Sequence, residues 1–269
     1  MQTNTPIGIF DSGIGGLTVT RAIRRLLPQE DIIYFGDTAH MPYGDKSTEA
    51  IQAYSIKIVN FLLSQQCKAI VIACNSASSA AYKLIREYVG NRALVVNVID
   101  PMVEYVAERY AGQKVGLIGT KQTVRSNVYK KKIDDMRRGI QLQAMATPLL
   151  APMIEEGYAG HPIMAQVIRD YLNKAAFDDI QALILGCTHY PLIKDMVDDY
   201  FGGKVDILDS SEIVAQAVES KLCRFELKRE DNRQGNAQFF VSDYTPAFEE
   251  MTGLFFGEHA KLTLYPLWE

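Results

Sequence analysis

The sequence contains no apolar run that approaches the ~18 residues needed to cross a bilayer, so no membrane-spanning helix is expected. It does not begin with a basic stretch followed by a long apolar one. MQTNTPIGIF runs straight into a strand-like segment, which predicts a cytoplasmic location. Cysteines are few: Cys67, Cys74, Cys187 and Cys223 lie far apart, with no Cys-x-x-Cys pair and no His/Cys cluster at zinc-ligand spacing. This argues against a structural metal and, in a reducing compartment, for free thiols. Positive charge is not in excess either. A net charge of -4 gives no general attraction to nucleic acid or to an anionic membrane. An anionic substrate must therefore be held by local donors.

What is present is a globular balance, 48% hydrophobic and 22% charged over 269 residues, which excludes a disordered chain. Length alone allows one large domain or two small ones. Short apolar runs alternate with longer amphipathic stretches such as Ser47–Leu63 and Pro162–Ala176. One set of strand candidates is Ile7–Phe10, Ile32–Phe35, Ala69–Ala73 and Leu94–Ile99. A second is Val115–Ile118, Leu142–Ala146, Leu183–Leu185 and Val205–Leu208. Near-continuous apolar strands point to parallel sheets buried on both faces, with ligands at the strands' carboxyl ends.

The two sets form a repeat. Corresponding strands start 108, 110, 114 and 111 residues apart, and the third strand of each set leads into a cysteine, Cys74 and Cys187, 113 apart. The expected fold is α/β: two similar lobes, each a mostly parallel sheet flanked by helices, related by a pseudo-twofold axis with the site between them. Residues 1–99 plus 210–269 would form the first lobe and 100–209 the second. The tail adds a helix-like stretch, Glu212–Cys223, and two strand-like ones, Gln238–Val241 and Ala260–Leu264.

Chemistry-bearing residues gather at strand ends. Asp11-Ser12-Gly13-Ile14-Gly15-Gly16 follows the first strand. Its glycines serve either a tight turn or an anion-binding loop at a helix start. Thr18 stands where the dinucleotide fingerprint needs a glycine, and no Gly-Lys-Ser/Thr follows. A carboxylate at the exit of a core strand, as Asp11 is, must be paired or used. Cys74-Asn75-Ser76 and Cys187-Thr188-His189 end equivalent strands. Either cysteine alone reads as a small buried hydrophobe. Together, in equivalent places, they read as two thiols meeting across a cleft.

Opposed thiols suit racemisation, in which one base removes a proton from one face of a carbon and an acid returns one to the other. One sulfur must be thiolate while the other is thiol, so neighbours must tune them. His189 could exchange protons with Cys187 or favour its ionised form. Asp11 fits better as a proton acceptor at Cys74 than as a stabiliser of its thiolate, since like charges repel. Tyr43 and the Gly44 N–H, in the turn after Asp37-Thr38-Ala39-His40, could donate to a carboxylate, and Thr120 and Thr123 offer hydroxyls, though each segment taken alone reads as a loop rather than a site. Glu155-Glu156-Gly157 reads as a solvated helix end, and Tyr129-Lys130-Lys131-Lys132 as a solvated face.

IGIFDSGIGGLTV, YFGDT, PYG, VIACNSAS, VGLIGT and LGCTHYPL, in that order over roughly residues 6 to 215, resemble the glutamate racemases of bacteria. The resemblance implies interconversion of L- and D-glutamate with neither pyridoxal phosphate nor metal, the D-glutamate entering peptidoglycan. It implies Cys74 and Cys187 as the acid/base pair, Asp11 assisting Cys74 and His189 assisting Cys187, with the family's further glutamate mapping to Glu155 and, as the second choice, Glu156. It also implies substrate contacts from Asp11, Ser12, Tyr43, Gly44, Asn75, Ser76, Thr188 and His189, with Thr120 or Thr123 as a further one, and a homodimer. Departures are Ser76 for the family's usual Thr, His40 for a frequent Arg, and a carboxylate at Asp100. An aspartate or broad acidic amino-acid racemase, and a non-catalytic binding protein for an anionic amino acid, are the competing readings.

Overall fold

The computed structural model describes residues 2–231 and 233–269. Met1 and Asn232, which fall within the ranges assigned to the first lobe, lie outside the described residues. The chain begins β1 (Ile7–Asp11), α1 (Leu17–Leu26), β2 (Ile32–Gly36), α2 (Thr48–Ser64), β3 (Ala69–Ile72), α3 (Asn75–Val89), β4 (Leu94–Asn97) and α4 (Ile99–Arg109). It continues with β5 (Lys114–Gly119), α5 (Lys121–Arg125), α6 (Val128–Asp135), β6 (Gln141–Ala146), α7 (Leu150–Glu155), α8 (Pro162–Leu172), β7 (Ala182–Gly186), α9 (Lys194–Phe201) and β8 (Asp206–Asp209). It ends with α10 (Ser210–Arg224), β9 (Ala237–Val241), α11 (Pro246–Phe256) and β10 (Leu262–Leu264).

Strands β1, β2, β3 and β7 are buried at every residue. Apolar side chains on both pleats need cover on both faces, which is why every strand pair here is parallel and helices fill the crossovers. One sheet has the order β10-β9-β2-β1-β3-β4 and the other β6-β5-β7-β8. Removing β9 and β10 leaves the same order in both, so the repeat seen in strand spacing is a repeat of topology. The fold is α/β with two parallel sheets flanked by helices. Strand β9 pairs with β2 in parallel, so the tail lengthens the first sheet.

A single apolar cluster runs from Ile7 and Ile9 through Val98 and Met102 to Val115 and Leu183, joining the two sheets through shared core. A second fills the outer face of the first sheet beneath α2 and α3, with Phe35, Ile58 and Ile70. The sheets are thus held against each other, and the strand ends that face the cleft are fixed by packing.

Several boundaries differ from expectation, each for a local reason. The strand expected over Leu94–Ile99 stops at Asn97, whose Oδ1 accepts from the Ile99 and Asp100 N–H groups at 2.8 and 2.9 Å and so starts α4. Strand β3 stops at Ile72 because Cys74 caps the next helix. The helix expected to reach Ala176 ends at Leu172, and residues 175–177 form a separate 3-10 turn. The final strand starts at Leu262 rather than Ala260. No helix among the described residues is long and apolar enough to cross a membrane.

Candidate active site

The carboxyl ends of both sheets enclose one cavity, walled by Ser12, Cys74 and Asn75 from one side and by Thr120, Cys187 and His189 from the other. Its volume of about 40 Å³ is the space of about three water molecules. Anything as large as an amino acid enters only when the walls part. Both sulfurs reach this one space, which is the juxtaposition the repeat implied.

Cys74 sits at the start of α3, where its Sγ accepts from the Ala77 N–H at 3.4 Å and donates to Ser12 Oγ at 3.6 Å. A helix N-terminus favours a thiolate. Burial opposes it, as does the neighbouring Asp11 carboxylate, and together they push the Cys74 thiol up to about 12. The proton therefore stays on this sulfur at neutral pH. Asp11 is fully buried behind the wall. Its Oδ2 accepts from the Gly13 and Gly16 N–H groups at 3.2 and 3.0 Å, while Oδ1 has no partner. Burial raises the Asp11 carboxyl above the ordinary carboxylate value, against the pull of His189 and of the loop N–H groups.

The glycine-rich turn resolves in a third way. Two of its N–H groups serve Asp11 rather than a ligand, and its glycines give space. A Cβ on Gly15 would lie 2.5 Å from the His189 ring, so the absence of a side chain lets the other lobe's histidine approach.

On the opposite side, Cys187 Sγ lies 3.7 Å from His189 Nδ1, and His189 Nε2 lies 2.8 Å from Glu155 Oε1. Burial disfavours an imidazolium here, but the contacts with the Cys187 sulfur and the Glu155 carboxylate outweigh it and lift His189 to about 10. An imidazolium favours negative charge on a sulfur it faces. The reading of Glu155 as a solvated helix end is corrected: the last turn of α7 turns Glu155 inward to His189, and Glu156 takes the exposed position.

The remaining candidates divide. Tyr43, Gly44, Asn75, Ser76, Thr120, Thr188 and His189 line the cavity with the two cysteines, Ser12 and Glu155. Asp11 and Thr123 do not; Thr123 Oγ1 accepts from Thr120 Oγ1 at 3.0 Å, behind the wall. The Tyr43 hydroxyl is turned away onto Asp37 Oδ2 at 2.6 Å, so this residue offers the cavity its ring and backbone. Ser76 and Thr120 meet at 2.8 Å across the cleft.

Met41, Pro42, Ala151 and Pro152 also line the cavity. Nothing in the sequence marks the last two, since they contribute bulk rather than function. Tyr129, read above as part of a solvated face, is buried and donates to Asn75 Oδ1 at 2.9 Å. The helical period of α6 turns Tyr129 and Ile133 inward and leaves Lys130 and Lys131 outside. With Oδ1 engaged, the Asn75 Nδ2 is a buried donor without a partner at the cavity wall. Lys132 pairs with Asp100 at 2.8 Å, which accounts for the unusual carboxylate there. Among the described residues, no group of three or more His, Cys, Asp or Glu is placed to hold a metal ion.

Fold and site together define a two-lobed α/β protein that brings one thiol from each half to a shared cavity. A model of the Asp/Glu/hydantoin racemase family matches residues 7–218. The glutamate racemase of Geobacter metallireducens is 41% identical over 251 residues, covering 93% of this chain and 92% of the relative. That of Neisseria meningitidis is 40% identical over 252 residues, covering 94% and 93%. The crystal structure of Francisella tularensis glutamate racemase in complex with D-glutamate superposes with a TM-score of 0.92 at 36% identity, covering 99% of each chain. The chain belongs to the Asp/Glu/hydantoin racemase family and is an isomerase acting on amino acids.

Proposed function

We propose that the protein racemises glutamate without a cofactor, using Cys74 and Cys187 as the two acid/base groups. The observation that carries this reading is the pair of sulfurs at equivalent strand ends in one cavity, one beside Asp11 and Ser12 and the other facing His189. Burial and Asp11 hold a proton on Cys74. His189, backed by Glu155, stands 3.7 Å from the Cys187 sulfur, where it can exchange a proton with it. One sulfur thus holds a proton to give, and the other has a histidine beside it through which a proton can pass. A carbon bound between them loses its hydrogen to Cys187 and gains one from Cys74, with inversion. In the reverse direction Cys74 must ionise, and the unpartnered Oδ1 of Asp11 is the acceptor available on that side.

Asn75 Nδ2, Ser12 and Thr188 supply donors for carboxylates in a chain that is anionic overall. Glutamate, rather than another acidic amino acid, is the reading supported by the named activity of the relatives and by the D-glutamate held in the Francisella structure. The same reading makes the product a supply of D-glutamate for peptidoglycan, places the enzyme in the cytoplasm, and has it act as a homodimer. Turnover of L-glutamate and L-aspartate, followed side by side by circular dichroism, tests it. Glutamate should be inverted and aspartate should trail far behind. Equal rates on both, or no inversion of either, would contradict the assignment.

A further inference from the structure

We infer that Trp268, distant in sequence from every cavity residue, is a positioning residue that fixes one wall of the cavity through Asp37. The wall in question is Met41–Gly44, one of the elements that must yield when a ligand enters the 40 Å³ space. Just before it, Thr38 and Ala39 bond to Asp243 and Ser242 of the tail, and the wall itself is tied through one carboxylate, Asp37, which the Tyr43 hydroxyl reaches. Asp37 is fully buried and is the acceptor for Tyr43 Oη at 2.6 Å, for Ser242 Oγ at 2.7 Å, for Trp268 Nε1 at 2.9 Å and for His40 Nδ1 at 3.1 Å. Of these donors, Tyr43 belongs to the wall and His40 immediately precedes it. The other two come from the tail.

A buried carboxylate is stable only when its lone pairs are filled, and hydrogen bonds to a charged group are stronger than neutral ones. Indole N–H is a donor only, so Trp268 cannot be matched to Asp37 in any other sense. Its ring also braces the loop sideways. It meets His40 edge-on at 4.4 Å and Tyr54 at 5.4 Å, with the Lys57 ammonium over its face at 4.7 Å. Tyr43 in turn packs against Tyr54 at 5.8 Å. Trp268 is partly buried and reaches the surface, so its loss would admit water to Asp37 and weaken the hold on Tyr43.

The inference rests on the glutamate racemase reading for its kinetic half only. The chain has a single tryptophan, so emission excited at the red edge, where its tyrosines do not absorb, reports this side chain alone. With Trp268→Ala, KM for L-glutamate should rise about tenfold, the effect of losing a hydrogen bond to a charged group, while kcat stays within about twofold. Amide exchange over residues 38–45, measured without any ligand, should speed up. Trp268→Phe, which keeps the ring packing and lacks the N–H, should retain the fold and fall between. In the wild-type protein, emission should shift when D-glutamate is added. Variants that merely melt earlier, with KM and loop exchange unchanged, would make Trp268 a plain packing residue and overturn the inference. If the wild-type protein fails to invert glutamate, the racemase reading fails, and loop exchange in the variants still decides the role of Trp268.

Discussion

The two halves of the molecule place a cysteine at the same point of the same topology and surround it with opposite chemistry. Cys74 starts a long helix yet stays protonated, because burial and Asp11 outweigh the helix. Cys187 is followed only by the 3-10 turn Tyr190–Ile193, and it faces a histidine lifted to about 10 by its sulfur and by Glu155. The scaffold is repeated; the partners of the sulfurs are not. Symmetry sets where the two thiols stand, and departure from symmetry gives each sulfur different neighbours.

The strongest way to break the comparison is to remove either sulfur. Cys74→Ala and Cys187→Ala should each lower the racemisation rate by at least about 10²- to 10⁴-fold, the worth of a general acid or base, with the fold retained. Full activity in one of them would remove that half from the chemistry. Next, His189→Asn should cost about 10²-fold and strike the Cys187 side alone. The equilibrium constant between enantiomers is one, so kcat/KM must fall equally in both directions. The asymmetry appears instead as a larger α-deuterium isotope effect for the enantiomer that Cys187 deprotonates; equal effects for both enantiomers would deny it.

Gly15→Ala should destabilise by about 1–3 kcal/mol and displace His189, since the added carbon has only 2.5 Å to that ring. Thermal melting and a pH–rate profile measure the two consequences.

A gentler probe is pH. His189 is raised from 6.5 to about 10 in the folded state, so its contribution to stability is full below about 6.5 and is lost as pH rises through about 10. Denaturant titrations over that window should show falling stability, and Glu155→Gln should flatten the fall. The smallest effect is expected for Ser76→Ala, which removes the 2.8 Å contact with Thr120 across the cleft, at about 0.5–1.5 kcal/mol.

Much of this comparison was legible in the sequence. Unbroken apolar runs announce strands covered on both faces, and a near-constant offset between two such sets announces two lobes with matching cysteines. Asn97 shows where that reading stops. A strand run of apolar residues conceals a helix start when one polar side chain satisfies two free N–H groups. Glu155 and Tyr129 show a second limit. Composition places both on solvated stretches, but helical phase turns each inward, and its partner lies 34 or 54 residues away in the chain. Such contacts depend on how the lobes pack, which no local pattern records. Asp37 is harder still, because its hydrogen-bond donors come from its own loop and from a tail more than 200 residues downstream.

The central claim, that one sulfur takes the hydrogen and the other supplies a different one, is most directly tested by following L-glutamate into its mirror image in deuterated water. The account predicts that in early turnovers every inverted molecule carries one solvent deuterium at its α-carbon, while unreacted substrate keeps its hydrogen. Inverted product that retains the substrate's own hydrogen would mean a single base serving both faces, and the two-sulfur account would be wrong.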